Sequence, residues 1–343
     1  MLDGPVIVKA GIDDAQYADQ VAASLVEKLK ANPDDAQARN DLGAWLLSYG
    51  NFDGWQYLIG RFGCHNCGGN YSMFPVPIWA GEDIRGKRVL YWLEQGVGDQ
   101  IFHASMIEDL AKLCDVTVYC SRRLSKMFAR SFPQVKVLHP QQLRSFDFDY
   151  QMTYSDVGQV VRKSFDDFPK KRGFLKADPV KVAEYRAKYE ALAPGNKIVG
   201  LSWRSTNPNQ GAGKSVPLEF LDEHLKIPGI TFVSLQYGET ADELKETRIH
   251  RDDTVNQLWD MESFAAQVAA MDQVLTISNT TLHTAGALGV KTLGMLARGN
   301  CRWWYWFTGR TDSPFYPSIE LVRCHEDLDW FDPMKRAWAW LHE

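Results

Sequence analysis

The sequence predicts an α/β protein of two successive Rossmann-like halves, each an open parallel sheet flanked by helices, behind an N-terminal α-helical extension. Two observations carry this. From residue 87 onward, short apolar β-rich runs alternate with helical stretches, which is the pattern of parallel α/β units, and the series starts afresh after a charged helix at 178–196. Residues 14–62 instead carry helical spacing throughout. A chain of 343 residues has length for about two domains with real cores.

The helical extension and its connector occupy residues 1–72. DAQYADQVAASLVEKLKANP reads as one helix stopped at Pro33, and DDAQARNDLGAWLLSYGNFDGWQYLIGRF as a second that breaks at Gly50-Asn51 and resumes. Asn32-Pro33, Ala38, Leu42-Gly43, Leu46, Tyr49-Gly50 and Phe52 are spaced so that this part resembles one tetratricopeptide repeat followed by a truncated one. A single repeat cannot bury its own apolar face. It is therefore expected to pack on the following domain or on another chain, as a protein contact or an oligomer interface. The glycine-rich connector GCHNCGGN places Cys64, His65 and Cys67 together, but a structural zinc site needs four ligands and no second pair follows at finger spacing. No metal is expected.

The first α/β domain is read over 73–177, with strands RVLYWL (88–93), DVTVYC (115–120), VKVLH (135–139) and FDFDYQM (146–152). The second is read over 178–343: a linker helix, then KIVGLSW (197–203), ITFVSLQY (230–237), QVLTIS (273–278), VKTLGML (290–296) and IELVRC (319–324), with helices between and a helix at the C-terminus. Two such halves place a cleft between their strand C-termini, where open parallel sheets bind ligands.

Bulk properties narrow the partners. A net charge of −5 argues against a nucleic-acid partner, because such binding rests on clustered Lys and Arg. No stretch approaches the roughly 20 apolar residues of a membrane span, and the first residues lack a basic region followed by an apolar one. The expectation is a cytoplasmic protein with no transmembrane segment. Six cysteines in a chain this long are too few for a disulfide framework.

Four segments fall at the cleft-facing strand ends. The heptapeptide EQGVGDQ (94–100) follows the first strand and leads into FHASMIEDLAKL, which has helical spacing. Its glycines Gly96 and Gly98 permit positive φ or close approach to a ligand. Asp99 is a favoured type of N-cap and also a carboxylate placed for proton transfer, and spacing alone leaves both open. Glu94 either binds an acceptor or steadies the turn. In WRSTNPNQGAGKS (203–215), Arg204 and Lys214 sit in a polar, glycine-rich loop suited to phosphate. In SNTTLHTAGALG (278–289), Ser278, Asn279, Thr280 and Thr281 open a helix toward an anion, and His283 lies one turn inside it. The aromatic run ARGNCRWWYWFTGRTDSPFYP (297–317) is either core packing or a wall of the cleft.

Taken together, EQGVGDQI, the loop from GLSWRSTNP to GKSVPL, FVSLQYG, ISNTTLHTAGALG and RWWYWFTGRTDSPFYPS resemble the glycosyltransferase family 9-like domain. That domain is related to heptosyltransferases and is often linked to tetratricopeptide repeats. The similarity runs over about residues 50–330, with all five segments in the family's order and spacing. It implies a GT-B fold and metal-independent, inverting transfer from a nucleotide-diphosphate sugar, as a hexosyl- or heptosyltransferase. It implies Asp99 as general base, with Glu94, Gln95, Gly96 and Gly98 on the acceptor side. Lys214 falls to donor phosphate, in a donor site with Trp203, Arg204, Gln236, Ser278, Asn279, Thr280, Thr281 and His283. Family members commonly have Asp-Thr where this chain has Ser278-Asn279, so the nucleotide and sugar do not carry over. That departure keeps a second function class open, a catalytically weak nucleotide-sugar-binding or interaction scaffold. A dinucleotide-dependent oxidoreductase is disfavoured, because GVGDQ lacks the GxGxxG spacing. The acceptor is expected to be a protein or a glycan.

Overall fold

The computed structural model describes residues 15–64, 71–208, 210–297, 303–325 and 329–343. The chain divides into two units. The first comprises the described parts of Met1–Arg122, Phe132–Pro169 and Trp303–Arg310, and the second those of Arg123–Ser131, Lys170–Arg302 and Thr311–Glu343.

The first unit begins with helices α1 (Ala15–Ala31) and α2 (Ala36–Ser48), and α2 is capped by the Asp35 carboxylate accepting the Ala38 N–H at 2.9 Å. Where the sequence suggested a resumed helix, the chain forms a long 3₁₀ segment, Phe52–Gly63. It packs tightly on α2: a Cβ on Gly43 would lie 2.8 Å from the Gly54 carbonyl oxygen, and one on Gly54 would lie 2.6 Å from that of Gly43. Backbones this close tolerate only glycine at the crossing. Ala22, Val26, Leu29, Ala38, Leu42 and Leu46 close a small core between the two helices.

The sheet of this unit has the order β3-β2-β1-β4, all parallel: β1 Arg88–Trp92, β2 Asp115–Tyr119, β3 Lys136–Leu138 and β4 Tyr150–Met152. Central β1 is buried from Val89 to Trp92, which is why it reads as an unbroken apolar run. Helix α3 (Val97–His103) follows β1. FHASMIEDLAKL is not one helix: after α3 come a 3₁₀ turn (Ala104–Met106) and the short α4 (Ile107–Leu110). Helix α6 (Tyr154–Val161) follows β4.

The helical segment is built into this unit, the first of the two outcomes the sequence allowed. The Trp55 indole N–H donates to the Arg162 carbonyl at 2.9 Å, and its ring lies where a Cβ on Gly158 of α6 would be, 2.4 Å from Trp55 Cδ2. The aromatic turn Trp304–Trp306 returns to the same unit, with Trp304 edge-on to Trp55 at 5.0 Å and the Thr308 N–H donating to the Ser48 carbonyl. Tyr305, Trp306 and Phe307 are buried. These rings are packing residues, and residues 298–302 of that run lie outside the described residues.

The second unit holds a five-stranded parallel sheet, β6-β5-β7-β8-β9: β5 Lys197–Ser202, β6 Ile230–Ser234, β7 Gln273–Ile277, β8 Lys291–Leu296 and β9 Ile319–Arg323. Its helices are α5 (Arg122–Ser131, contributed from Arg123 on), α7 (Pro179–Glu190), α8 (Leu218–His224), α9 (Ala241–Leu244), α10 (Met261–Ala269), α11 (Thr280–Leu288) and the C-terminal α12 (Phe331–Leu341). Val199, Leu201, Leu275, Ile277, Leu293 and Met295 form the centre of its core with Trp330, Met334 and Trp340 around α12. Because all strands run parallel, every strand C-terminus lies along one edge of the sheet. The loops carrying Arg204, Lys214, Gln236 and Asn279 all leave from that edge.

Candidate functional site

In the first unit the turn after β1 is held from several directions. Gly96 is the N-cap of α3 and Asp99 is its third residue, so Asp99 is not the cap. Its Oδ2 instead reaches back and accepts the Gly96 N–H at 3.1 Å, the carboxylate half of a capping box. A Cβ on Gly96 would lie 3.0 Å from that same oxygen, so glycine there makes room for the carboxylate. Of the two roles open to Gly96, positive φ is not the one found: Gly96 has φ −75°, and the left-handed residue is Gln95, at φ 65°. A non-glycine residue in that region costs on the order of 1 kcal/mol or more and persists only where its surroundings fix it.

Here the surroundings do. Gln100 donates to the Gln95 carbonyl at 3.2 Å while its own Oε1 accepts the Ser121 N–H at 2.8 Å, stapling the turn to the end of β2. The Tyr91 hydroxyl of β1 donates to the His103 carbonyl at 2.9 Å, at the far end of α3. Phe102 packs on Tyr305 at 4.8 Å, and His103 stacks on Tyr154 at 4.0 Å. Gly98 lies in the first turn of α3, and Gly98 and Asp99 are partly exposed on this rigid base.

Glu94 is not a free acceptor ligand. It is buried and forms an ion pair with Arg61 of the 3₁₀ segment. Below it lies a polar cluster that the sequence reading missed: Thr153, Ser155 and Asp156 at the end of β4. Asp156 accepts from the Thr153 N–H and hydroxyl, at 2.8 and 2.9 Å, and from the Tyr71 hydroxyl at 3.1 Å. Burial raises the Asp156 carboxyl above its usual range despite these donors. A signal was available, since T-x-x-D directly after a strand is a capping-box pattern.

In the second unit the strand-end loops meet around two amides. Asn279 is the N-cap of α11: its Oδ1 accepts from the Thr281 and Leu282 N–H groups at 2.9 and 3.3 Å and from the Thr276 hydroxyl, and its Nδ2 donates to Ser202 Oγ at 2.8 Å. Gln236, after β6, accepts from the Ser202 hydroxyl, the Trp203 N–H and the Arg204 N–H, and donates to the carbonyls of Arg204 and Tyr237. Gln236 is thus a latch between loops, its carboxamide taken up by the protein. Trp203 is also corrected from a donor contact to a core residue, 1% exposed. Arg204 forms an ion pair with Glu243 at 2.9 Å and donates to the Glu239 carbonyl.

Lys214 ends a 3₁₀ turn (Ala212–Lys214) and is largely buried. His283, one turn into α11, bonds Tyr316 Oη through Nδ1 at 2.9 Å. Burial, and secondarily the nearby Lys214 charge, push the His283 pKa down to about 3, so it is neutral at ordinary pH. The Lys214 charge is thus felt at His283 of α11. Ser278 and Thr281 are buried at that helix start, and Thr280 is partly exposed. A long helix start with a lysine charge nearby is an arrangement suited to an anion.

Of the cysteine cluster, His65 and Cys67 lie outside the described residues; buried Cys64 donates weakly to the carbonyls of Ala36 and Gly60. Among the described residues no group of three or more His, Cys, Asp or Glu side chains is disposed to hold a metal ion, and no helix is long and apolar enough to cross a membrane.

No protein-family model matches the chain. It is 32% identical over 305 residues to Protein FlbA of Caulobacter vibrioides, a match that takes in 81% of this chain and 50% of FlbA. The chain thus spans about half the length of the curated relative it matches. Among solved structures it is similar to the glycosyl transferase family 9 protein from Veillonella parvula (TM-score 0.53, 11% identity, 75% of this chain and 92% of that one). It is also similar to E. coli ADP-heptose lps heptosyltransferase II (TM-score 0.53, 13% identity, 74% and 97%). Two parallel sheets in this order of elements and these likenesses establish that the chain has the GT-B fold of the family 9 glycosyltransferases.

Proposed function

We propose that the protein is a glycosyltransferase that moves a sugar from a nucleotide-diphosphate sugar to a hydroxyl of a protein or glycan acceptor, with inversion and without a metal ion. The observation that carries this reading is the GT-B fold itself, shared with family 9 glycosyltransferases, in which Lys214 and the start of α11 follow strands β5 and β7 of the second sheet. That E. coli heptosyltransferase II is named for ADP-heptose supports a nucleotide diphosphate sugar as the donor class.

The chemistry follows from the groups present. Asp99 takes the acceptor hydroxyl proton as the oxygen attacks the anomeric carbon, and the diphosphate leaves from the opposite face. Its bond from the Gly96 N–H fixes the carboxylate at the start of α3, and a carboxylate oxygen is the acceptor a base needs. The charge on the leaving diphosphate is met by the Lys214 ammonium and the α11 N–H groups, which do the work a divalent cation does in other transferases. Glu94, Gln95, Gly96 and Gly98 shape the acceptor side by fixing the turn. Thr280, partly exposed, and Ser278 beside it offer hydroxyls to the donor, whereas Thr281 is fully buried with its hydroxyl on the Leu235 carbonyl and supports the helix start from within.

A second reading, a weak nucleotide-sugar binder acting as a scaffold, is favoured by three observations. Ser278 stands where the resemblance implies an acid, the carboxamide of the neighbouring Asn279 is engaged within the protein, and Arg204 is matched by Glu243. The two readings separate by experiment. Calorimetric titration with a panel of nucleoside diphosphates is expected to find one that binds, and its sugar conjugates are expected to turn over. Binding without turnover would favour the scaffold, and no binding to any of them would refute both.

A further inference from the structure

We propose that Arg61 is a positioning residue for the Asp99 turn, so that the helical segment preceding the first sheet is a working part of the transfer site and not a detachable docking module. The proposal rests on the transferase reading for its activity readout, and on the geometry alone for its structural one.

The Arg61 side chain is 2% exposed and uses every donor it has. Nε–H donates to Glu94 Oε2 at 3.1 Å; Nη2 donates to Glu94 Oε1 and to Thr153 Oγ1, the latter at 2.9 Å; Nη1 donates to Ser155 Oγ at 2.9 Å and to the Leu58 carbonyl at 2.6 Å. A guanidinium has five N–H groups, and all five are placed. The rings of Phe62 and Tyr154 lie 4.2 and 4.3 Å from its centre. Burial works against the cation, but Tyr154 and Glu94 more than offset it and raise the pKa, so Arg61 stays charged.

A buried pair of this kind is a poor stabiliser compared with apolar packing, so its presence asks for another reason. The position supplies one. Glu94 lies two residues beyond β1 and directly before left-handed Gln95, and Gln95 precedes the Gly96 N–H that holds the Asp99 carboxylate. Arg61 clamps the chain leaving β1 and β4 at once, through Glu94 after one and Thr153 and Ser155 after the other. The strained turn between Glu94 and Asp99 is thereby anchored at its root by a residue more than 30 positions away. Lysine would keep the charge but lose the planar fork and the stacking, so it cannot serve.

The test uses the full chain with Arg61→Lys, and Trp55→Phe as comparator. Trp55→Phe loosens the same 3₁₀ segment by removing the indole bond to the Arg162 carbonyl, without touching the turn. At a temperature where circular dichroism shows both variants folded, Arg61→Lys is expected to lower kcat for nucleotide-sugar turnover at least tenfold, with the Kd for the nucleoside diphosphate within twofold of wild type. Trp55→Phe is expected to leave kcat unchanged. The Gly96 amide, which reads the bond to Asp99 directly, is expected to exchange at least tenfold faster in Arg61→Lys only. Wild-type kcat in Arg61→Lys, or an equal loss in Trp55→Phe, would overturn the proposal. Should the wild type turn over no nucleotide sugar, the transferase reading fails, and the Gly96 amide decides: unchanged exchange in Arg61→Lys overturns the positioning role.

Discussion

Replacing Asn279 by alanine removes several bonds of the second unit's strand-end edge in one step. Two N–H groups of the first turn of α11 lose their cap, a change that costs about 1 kcal/mol. The Thr276 hydroxyl loses one acceptor but keeps a contact to the Ile277 carbonyl, and the Ser202 hydroxyl loses a donor but keeps Gln236. Each half-satisfied buried hydroxyl adds about 0.5–1.5 kcal/mol. The sum is roughly 2–4 kcal/mol, or about 5–15 °C in Tm for a unit of this size. Asn279→Asp makes a sharper contrast. It keeps the cap and suits the helix dipole, but a carboxylate has no N–H to give Ser202, whose hydroxyl must then turn away from Gln236. Its cost is expected at about 1 kcal/mol by the same scale. Chemical denaturation with calorimetry on all three proteins measures both numbers. An alanine variant within 0.5 kcal/mol of wild type, or an aspartate variant as unstable as the alanine one, would refute this account of why asparagine stands here.

Three further outcomes are expected. Gly158→Ala places a methyl 2.4 Å from Trp55 Cδ2 and should destabilise the first unit by at least about 1–3 kcal/mol, as overpacking does; an unchanged Tm would show that the Trp55 contact yields. His283 has a folded pKa near 3, below the 6.5 of an ordinary histidine, so the unfolded chain takes up the proton first and acid favours unfolding. Its contribution is therefore complete above pH 6.5 and is lost as pH falls toward 3, with a slope of at most about 1.4 kcal/mol per pH unit, and urea titrations of wild type and His283→Gln should differ by that component. Lys214→Ala is expected to weaken nucleoside diphosphate binding by about 10–100-fold, the worth of a charge-assisted bond, and an unchanged Kd by calorimetry would remove Lys214 from the phosphate site.

The central strands were the most legible part of the fold. RVLYWL, KIVGLSW, QVLTIS and VKTLGML are buried on both faces in parallel sheets, so each prints as an apolar run that nothing else explains. The edge was harder: FDFDYQM shrinks to Tyr150–Met152 because Phe146 is exposed and Asp147 and Asp149 turn to the Arg88 guanidinium. At the candidate site, the glycine turn, Lys214 and the polar start of α11 were readable because the chemistry and the turn residues are local in sequence. Glycines suggested where positive φ would fall, yet tertiary bonds from Gln100 and Arg61 moved it onto Gln95. Arg61 itself was invisible, since its partners lie 33 and more than 90 residues away and no local spacing reports a pair that forms only when two strands meet. The return of the 303–310 aromatics to the first unit was hidden for the same reason.

The proposed transfer requires Asp99 to act as a base and not merely as a brace for its own helix. Asn in its place keeps an acceptor oxygen for the Gly96 N–H but cannot take a proton. With the nucleotide sugar that wild type turns over, steady-state kinetics and donor titration of Asp99→Asn measure the two roles separately. A base at Asp99 requires kcat lower by ~10² or more in Asp99→Asn, the usual size of a general-base contribution, with donor Kd and Tm close to wild type. Turnover near the wild-type rate, or donor binding and turnover lost in equal measure, would contradict it.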